Sequence, residues 1–224
     1  MMNLVVRFYR KLRDPVSGLT HAAGLFLSIA GLVLLVTYAA LDEKPWHVVS
    51  FSIFGISLIL LYTASSLYHL LPVSEQAVPI LRKIDHIMIY VLIAGTYTPV
   101  CLVALRGPWG WSLFGTVWGL AIAGILLKFF WMNAPRWFST AIYLGMGWLV
   151  VIALSPLIDV MPLGGVIWLS IGGMFYTVGA VIYAVKKPNI VPGVFGFHEL
   201  WHLFVMAGSF SHFWVMLRYI LPLE

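Results

Sequence analysis

Apolar residues run through this chain in long, nearly uninterrupted stretches. Seven can be counted, at residues 17–40, 49–71, 85–105, 109–131, 137–155, 164–185 and 198–220. Each is close to the ~20 residues that a helix needs to cross a hydrocarbon core of ~30 Å. None alternates between apolar and polar positions as the strands of an outer-membrane barrel do. Because lipid offers no partners to open backbone groups, the pattern predicts an all-α bundle of seven transmembrane helices.

Composition supports an integral membrane protein. Of the 224 residues 62% are apolar and 9% charged, whereas a soluble domain has about 45–50% apolar and about 25% charged residues. The loops between the stretches are short, so we expect residues 1–224 to form a single membrane domain, with any chemistry inside the bundle. The one cysteine, Cys101, excludes an intramolecular disulfide and a cysteine-rich metal site.

The basic residues indicate the orientation of the bundle. A cytoplasmic N-terminus places ten of the thirteen on the inside: Arg7, Arg10, Lys11, Arg13, Arg82, Lys83, Lys128, Arg136, Lys186 and Lys187. Only Lys44, Arg106 and Arg218 then lie outside. This bias follows the positive-inside rule and predicts a cytoplasmic N-terminus and an exterior C-terminus, the reverse of G-protein-coupled receptors. The net charge of +5 is therefore a topology signal, and no nucleic-acid partner is expected.

Ionisable residues in the apolar stretches are the candidates for function, because such residues are costly in a membrane. His198 and His202 are spaced i, i+4 on one face of the seventh helix. Ser65 and His69 close the second helix, and Asp85 begins the third. In the predicted topology all of these side chains lie at the same cytoplasmic level.

Three neutral imidazoles with an open position are typical of a catalytic zinc site. A nearby carboxylate can serve as a fourth ligand or hold a water molecule. Imidazole also suits iron, copper and nickel, so the residues leave the identity of the metal open. Ser65 lies one turn before His69 and can orient a ligand or a substrate carbonyl.

The remaining histidines are expected to play other parts. For His21 and His86 the choice is between hydrogen bonds to metal ligands and simple helix contacts, and we favour helix contacts. His212 follows His198 by fourteen residues, about 21 Å along a helix, which is too far to share one metal. His47 is expected to lie solvated in an exterior loop.

The chain resembles the bacterial hemolysin III family, which is related to the progestin and adipoQ receptors. Four motifs carry the resemblance: Leu19-Thr20-His21-Ala-Ala-Gly24, Ser65-x3-His69, Lys83-Ile-Asp85-His86 and His198-x3-His202-x9-His212. It implies a seven-helix protein in which His69, His198 and His202 bind zinc and Asp85 holds a water molecule. His86 stands where the receptor branch tends to have tyrosine, so the resemblance does not identify the substrate.

The superfamily formed by hemolysin III proteins and the progestin and adipoQ receptors also resembles the alkaline ceramidases. Its bacterial branch is associated with membrane lipid homeostasis and cell lysis. The leading hypothesis is therefore a zinc-dependent hydrolase of an acyl-lipid amide or ester in the bacterial plasma membrane, with Asp85 as general base. Membrane lipids are the expected partners, and the oligomeric state is not predicted.

Two alternatives remain open. In one, the protein is a non-enzymatic sensor, a channel-like protein or a cytolytic protein, and zinc is structural. In the other it is an intramembrane protease, because His198-Glu199-x-x-His202 matches the zinc-protease pattern in which Glu199 would be the base. Otherwise Glu199 simply complements the N-terminus of the seventh helix.

Overall fold

The computed structural model describes residues 12–224, and seven of its helices are long and apolar enough to cross a membrane. We number them α1 to α7: Pro15–Leu41, Pro45–Leu70, Val78–Ala104, Pro108–Phe130, Arg136–Val160, Leu163–Val185 and Phe197–Ile220. The seven-helix prediction is confirmed. Arg7, Arg10 and Lys11, which contribute to the predicted orientation, lie outside the described residues.

Several helices begin earlier than the apolar pattern indicates, because their first turns contain proline. Proline occupies one of the first two positions of α1, α2, α3 and α4, where its missing N–H removes no helical hydrogen bond. As a result α3 begins at Val78 rather than at Asp85. Asp85 therefore lies about 10 Å inside the helix, not at its first residue as the sequence suggested.

Two helices change their geometry next to an internal proline. In α3 the α-helix ends at Pro99 and continues as a π-helical turn, Val100–Ala104. In α5 a 3-10 segment, Trp148–Ala153, lies just before the turn that contains Pro156. Proline lacks the N–H and clashes with the preceding turn, so it disturbs the regular hydrogen-bond ladder.

The histidine end of the bundle is the end at which α1, α3, α5 and α7 begin. It is also the end at which α2, α4 and α6 finish. There the backbone N–H of Asp14 donates to the carbonyl of His69 at 2.8 Å and joins the start of α1 to the end of α2. Consequently the first residues of α1 lie beside the last residues of α2.

His47 is placed differently from its prediction. It lies in the first turn of α2, is 3% exposed, and its Nε2–H donates to the carbonyl of Ile220 at 3.1 Å. Lys44 donates to the carbonyls of Leu221 and Leu223 at 3.0 Å. The solvated-loop prediction was wrong because α2 begins four residues before the apolar stretch and the end of α7 covers its first turn.

Candidate metal centre

Three histidines meet at the histidine end of the bundle. His69 comes from the last turn of α2, and His198 and His202 come from the first two turns of α7. One ring nitrogen from each lies within 4.8 Å of the others. Nε2 of His69 and Nε2 of His198 are 3.2 Å apart. Tetrahedral zinc with bonds of ~2.0–2.1 Å separates two nitrogen ligands by about 3.3 Å, so this spacing fits a metal ion.

Hydrogen bonds on the far side of two rings determine which nitrogen is free. Nδ1 of His69 lies 3.1 Å from the Asp14 carboxylate, and Nδ1 of His202 lies 3.1 Å from the Ser17 carbonyl. A carbonyl or carboxylate oxygen can only accept, so each Nδ1 carries the proton and each Nε2 keeps a lone pair. Metal-binding histidines are held in this way by an oxygen on their second nitrogen.

Asp14 and Ser17 were not among the residues singled out from the sequence. Asp14 precedes α1 directly, and its hydrogen bond with His69 holds the pKa of its carboxyl below the ordinary value. The alternation of helix directions contained the necessary signal. It places the start of the first helix at the same end as His69 and His202.

Asp85 lies next to the histidine cluster without being part of it. Its side chain is 14% exposed and lines the same cavity as His198 and His202. The carboxylate lies 3.5 Å from Nδ1 of His86. Among the described residues, the group whose ligand atoms converge contains the three histidines alone. This position suits a residue that acts on a molecule beside the metal rather than one that binds the metal directly.

Ser65 and His21 form a pair on the wall of this cavity. Nδ1 of His21 lies 2.8 Å from Oγ of Ser65, and the His21 ring stacks on His202 with centroids 3.7 Å apart. His21 therefore links α1 to α2 through Ser65 and to α7 through the ring of His202. Its Nε2 is buried and has no hydrogen-bond partner among the described residues.

Glu199 caps the helix that carries two of the histidines. One carboxylate oxygen accepts from the backbone N–H of Gly196 at 2.8 Å, and the other accepts from the Ser17 hydroxyl at 2.9 Å. Both oxygens are thus engaged in structural hydrogen bonds. This geometry agrees with the capping interpretation and leaves Glu199 poorly placed to act as a protease base.

The cavity continues from the histidines into the bundle. It extends to His212, which lies about 15 Å beyond His202 along α7. Nε2–H of His212 donates to the carbonyl of Leu169 at 3.2 Å, and His212 does not belong to the cluster. Most of its lining side chains are apolar, which is the environment that an acyl chain requires.

The chain matches a known protein family over nearly its whole length. It matches the family model described as haemolysin-III related over residues 9–213. This range includes the histidine cluster, Asp14 and Asp85.

Two bacterial relatives are close in sequence. The chain is 43% identical over 203 residues to the hemolysin-3 homolog of Bacillus subtilis (strain 168), which covers 91% of this chain and 92% of that protein. It is 41% identical over 208 residues to hemolysin-3 of Bacillus cereus, covering 92% and 91%. The human monocyte to macrophage differentiation factor is 26% identical over 211 residues, covering 90% and 82%.

Proposed function

This chain belongs to the haemolysin III family, and from that premise we propose that it is a metal-dependent hydrolase of an acyl lipid in the bacterial plasma membrane. The observation that carries the proposal is the histidine cluster, two of whose members, His198 and His202, line a cavity inside the bundle. In that cluster His69 and His202 each present an Nε2 lone pair, and a carboxylate lines the same space.

His69, His198 and His202 would hold the metal, for which we propose zinc. Three imidazoles without a thiolate, with space beside them for water and substrate, suit a catalytic site better than a closed structural one. Zinc bound at such a site polarises a carbonyl and lowers the pKa of a water molecule toward ~7.

The residues around the cluster can be assigned roles in hydrolysis of an amide or ester. Asp85 would accept the proton of the attacking water and return it to the leaving nitrogen or oxygen, giving a carboxylic acid and an amine or alcohol. Such acid–base assistance typically contributes about 10²–10⁴-fold to the rate.

Ser65 would bind the carbonyl oxygen of the substrate. If Nδ1 of His21 carries the proton, it donates to Ser65 Oγ across the 2.8 Å contact. The Ser65 hydroxyl proton is then free to donate to a ligand. His21 is therefore proposed as the residue that positions Ser65.

The Asp85→Asn substitution tests this proposal. It keeps the size of the side chain but removes the basic carboxylate, so bound metal should remain while lipid turnover falls by about 10²–10⁴-fold. The assay combines metal analysis of the purified protein with mass spectrometry of fatty acids released from a bacterial lipid extract. Glu199→Gln is the matched control and should retain most of the turnover.

The two variants also separate the alternatives. A larger loss in Glu199→Gln than in Asp85→Asn would favour a protease-like base. If both variants keep their metal and show the wild-type lipid profile in cells, hydrolysis is the wrong function. A sensor, channel-like or cytolytic role with structural zinc would then replace it.

A further inference from the structure

The cavity has a second feature, which the hydrolase proposal does not use. Three basic side chains line it at the histidine end: Arg82 near the start of α3, Lys128 near the end of α4 and Arg136 at the start of α5. Arg82 and Arg136 are exposed, whereas Lys128 is 2% exposed. The two arginines therefore lie at the mouth and the lysine lies deeper.

These positive charges have no acidic partner. Within residues 12–224 none of the three forms an ion pair with a carboxylate. Lys128 donates to the Ser139 hydroxyl at 2.7 Å, and the Arg136 guanidinium lies 5.2 Å from the Tyr183 ring. A buried ammonium group with only a neutral partner is unfavourable unless an anion compensates it. The mouth of the cavity is thus suited to a negatively charged group.

Asp85 does not supply that negative charge. It is the one acidic residue among the described residues that line the cavity. Its carboxylate already lies 3.5 Å from Nδ1 of His86. Three cations facing one acid leave the cavity with a positive excess.

The charged mouth is continuous with the metal centre and with the apolar interior. The Tyr183 ring, which faces Arg136, lies 5.9 Å from the ring of His198. Beyond the histidines the walls are mainly apolar and include Leu61, Ile89, Leu92, Ile93, Leu144 and Val205. A molecule that fills the cavity needs an anionic group at one end and a long apolar chain at the other.

We propose that this cavity binds a membrane lipid through a phosphate in its headgroup. Arg82 and Arg136 would hold the phosphate oxygens at the mouth, Lys128 would neutralise its charge, and an acyl chain would extend toward His212. Two guanidinium forks and an ammonium offer more donors than one carboxylate can accept, and guanidinium geometry matches phosphate. The lipid would bind whether or not it is cleaved. The further step, that it is also the substrate, rests on the proposed function.

A free phosphate ion could contact the same basic residues as a lipid headgroup, but it would leave the apolar part of the cavity unfilled. The interior beyond the basic residues is lined mainly by apolar side chains, so an acyl chain should add most of the affinity. In a glycerophospholipid the ester carbonyls are only a few bonds from the phosphate. Binding at Arg136 would therefore bring an ester near the histidine cluster.

Binding measurements on the purified full-length protein in detergent test the proposal. The probe is radiolabelled dioleoyl phosphatidic acid, and the competitors are dioleoylglycerol, oleic acid and inorganic phosphate. We expect dioleoylglycerol and oleic acid to compete at least about tenfold more weakly, since they lack the charge-assisted contacts of a phosphate. Inorganic phosphate should be weaker by about 100-fold or more, since it lacks the acyl chains.

Charge-removing variants locate the binding site. Arg82→Gln and Arg136→Gln should each weaken binding of phosphatidic acid about tenfold. Lys187→Gln removes an exposed cation at the same end that does not line the cavity, and it should change affinity less than about twofold. Lys128→Met should weaken lipid binding without lowering the unfolding temperature of the lipid-free protein, because it removes a buried charge that has no partner.

Several results would overturn the proposal. They are equal affinity for dioleoylglycerol, tighter binding of oleic acid, tight binding of inorganic phosphate alone, or unchanged binding by the Arg82→Gln/Arg136→Gln double variant. The hydrolase proposal fails separately. If phosphatidic acid binds but neither it nor any other lipid is cleaved, only the hydrolase proposal is contradicted. If a neutral lipid is hydrolysed and the arginine variants leave that turnover unchanged, only the headgroup site is contradicted.

Discussion

The protons on Nδ1 of His69 and Nδ1 of His202 are held by oxygen atoms from the start of α1, one from the Asp14 carboxylate and one from the Ser17 backbone. Mutation of a side chain can remove only one of these two contacts. The Ser17 carbonyl survives any side-chain change, whereas the Asp14 carboxylate can be removed. Asp14 is therefore the residue at which the orientation of a candidate ligand can be tested.

We predict that Asp14→Ala lowers the affinity for zinc about 10–100-fold, because the His69 ring loses the oxygen that fixes its orientation. Asp14→Asn, which keeps a hydrogen-bond acceptor, should lose less. Titration against a competing chelator measures both. Asp159→Ala is the control, since Asp159 is exposed at the opposite end of the bundle. Wild-type affinity in Asp14→Ala would contradict the role of Asp14 in positioning His69.

At the scale of helices, α4 packs closely on α3, the helix that carries Asp85. Gly124 of α4 faces Tyr90 of α3, and a Cβ at this glycine would overlap the tyrosine ring. Tyr90 is fully buried and lies 4.7 Å from the ring of Tyr143, so it has little room to move. The small residue is what allows the two helices to approach.

Gly124→Ala should therefore destabilise the protein by about 1–3 kcal/mol through overpacking. Gly119→Ala is a matched control on the same helix, because nothing lies within 4 Å of its added Cβ. That variant should be stabilised by about 0.5–1 kcal/mol through helix propensity. Thermal unfolding in detergent compares the two. If the two variants unfold at the same temperature, the close packing of α3 and α4 at Gly124 does not limit the stability of the protein.

At the scale of the whole molecule, a metal at the cluster would connect α2 to α7, which are far apart in sequence. Zinc at about 100 times its dissociation constant should add about 2.7 kcal/mol to the free energy of unfolding. Unfolding temperatures with zinc and with a chelator measure this effect. His212→Ala should respond as wild type does, because His212 lies outside the cluster.

The His69→Ala/His198→Ala/His202→Ala triple variant should show no zinc response, and each single alanine variant should have a lower metal content. Stoichiometric metal in the purified triple variant would rule the site out.

The orientation in the membrane is also a property of the whole chain. With ten of thirteen basic residues then on the inside, we predict a cytoplasmic N-terminus and an exterior C-terminus. Reporter fusions at both ends test the orientation. A C-terminal reporter active only in the cytoplasm would reverse it and move the histidine end to the outer leaflet.

The sequence predicted the features that depend on the hydropathy of each segment and on the order of the segments along the chain. Each apolar stretch must be helical to satisfy its backbone in lipid, so the seven spans follow from hydropathy alone. Alternating spans then place His69, Asp85 and His198 at one end without knowledge of packing. The starts of the helices were less accurate, since prolines such as Pro45 and Pro79 begin them outside the apolar runs.

The remaining features were decided by tertiary structure. The contacts of Asp14 with His69, of His21 with Ser65 and of His47 with Ile220 join residues from different helices. The same is true of the basic residues lining the cavity, Arg82, Lys128 and Arg136. Hydropathy determines which residues lie in the membrane and at what depth, whereas the rotation and neighbours of each helix depend on side-chain packing between distant segments. For that reason the common level of His69, His198 and His202 could be predicted, but the residues that support them and the basic residues of the cavity could not.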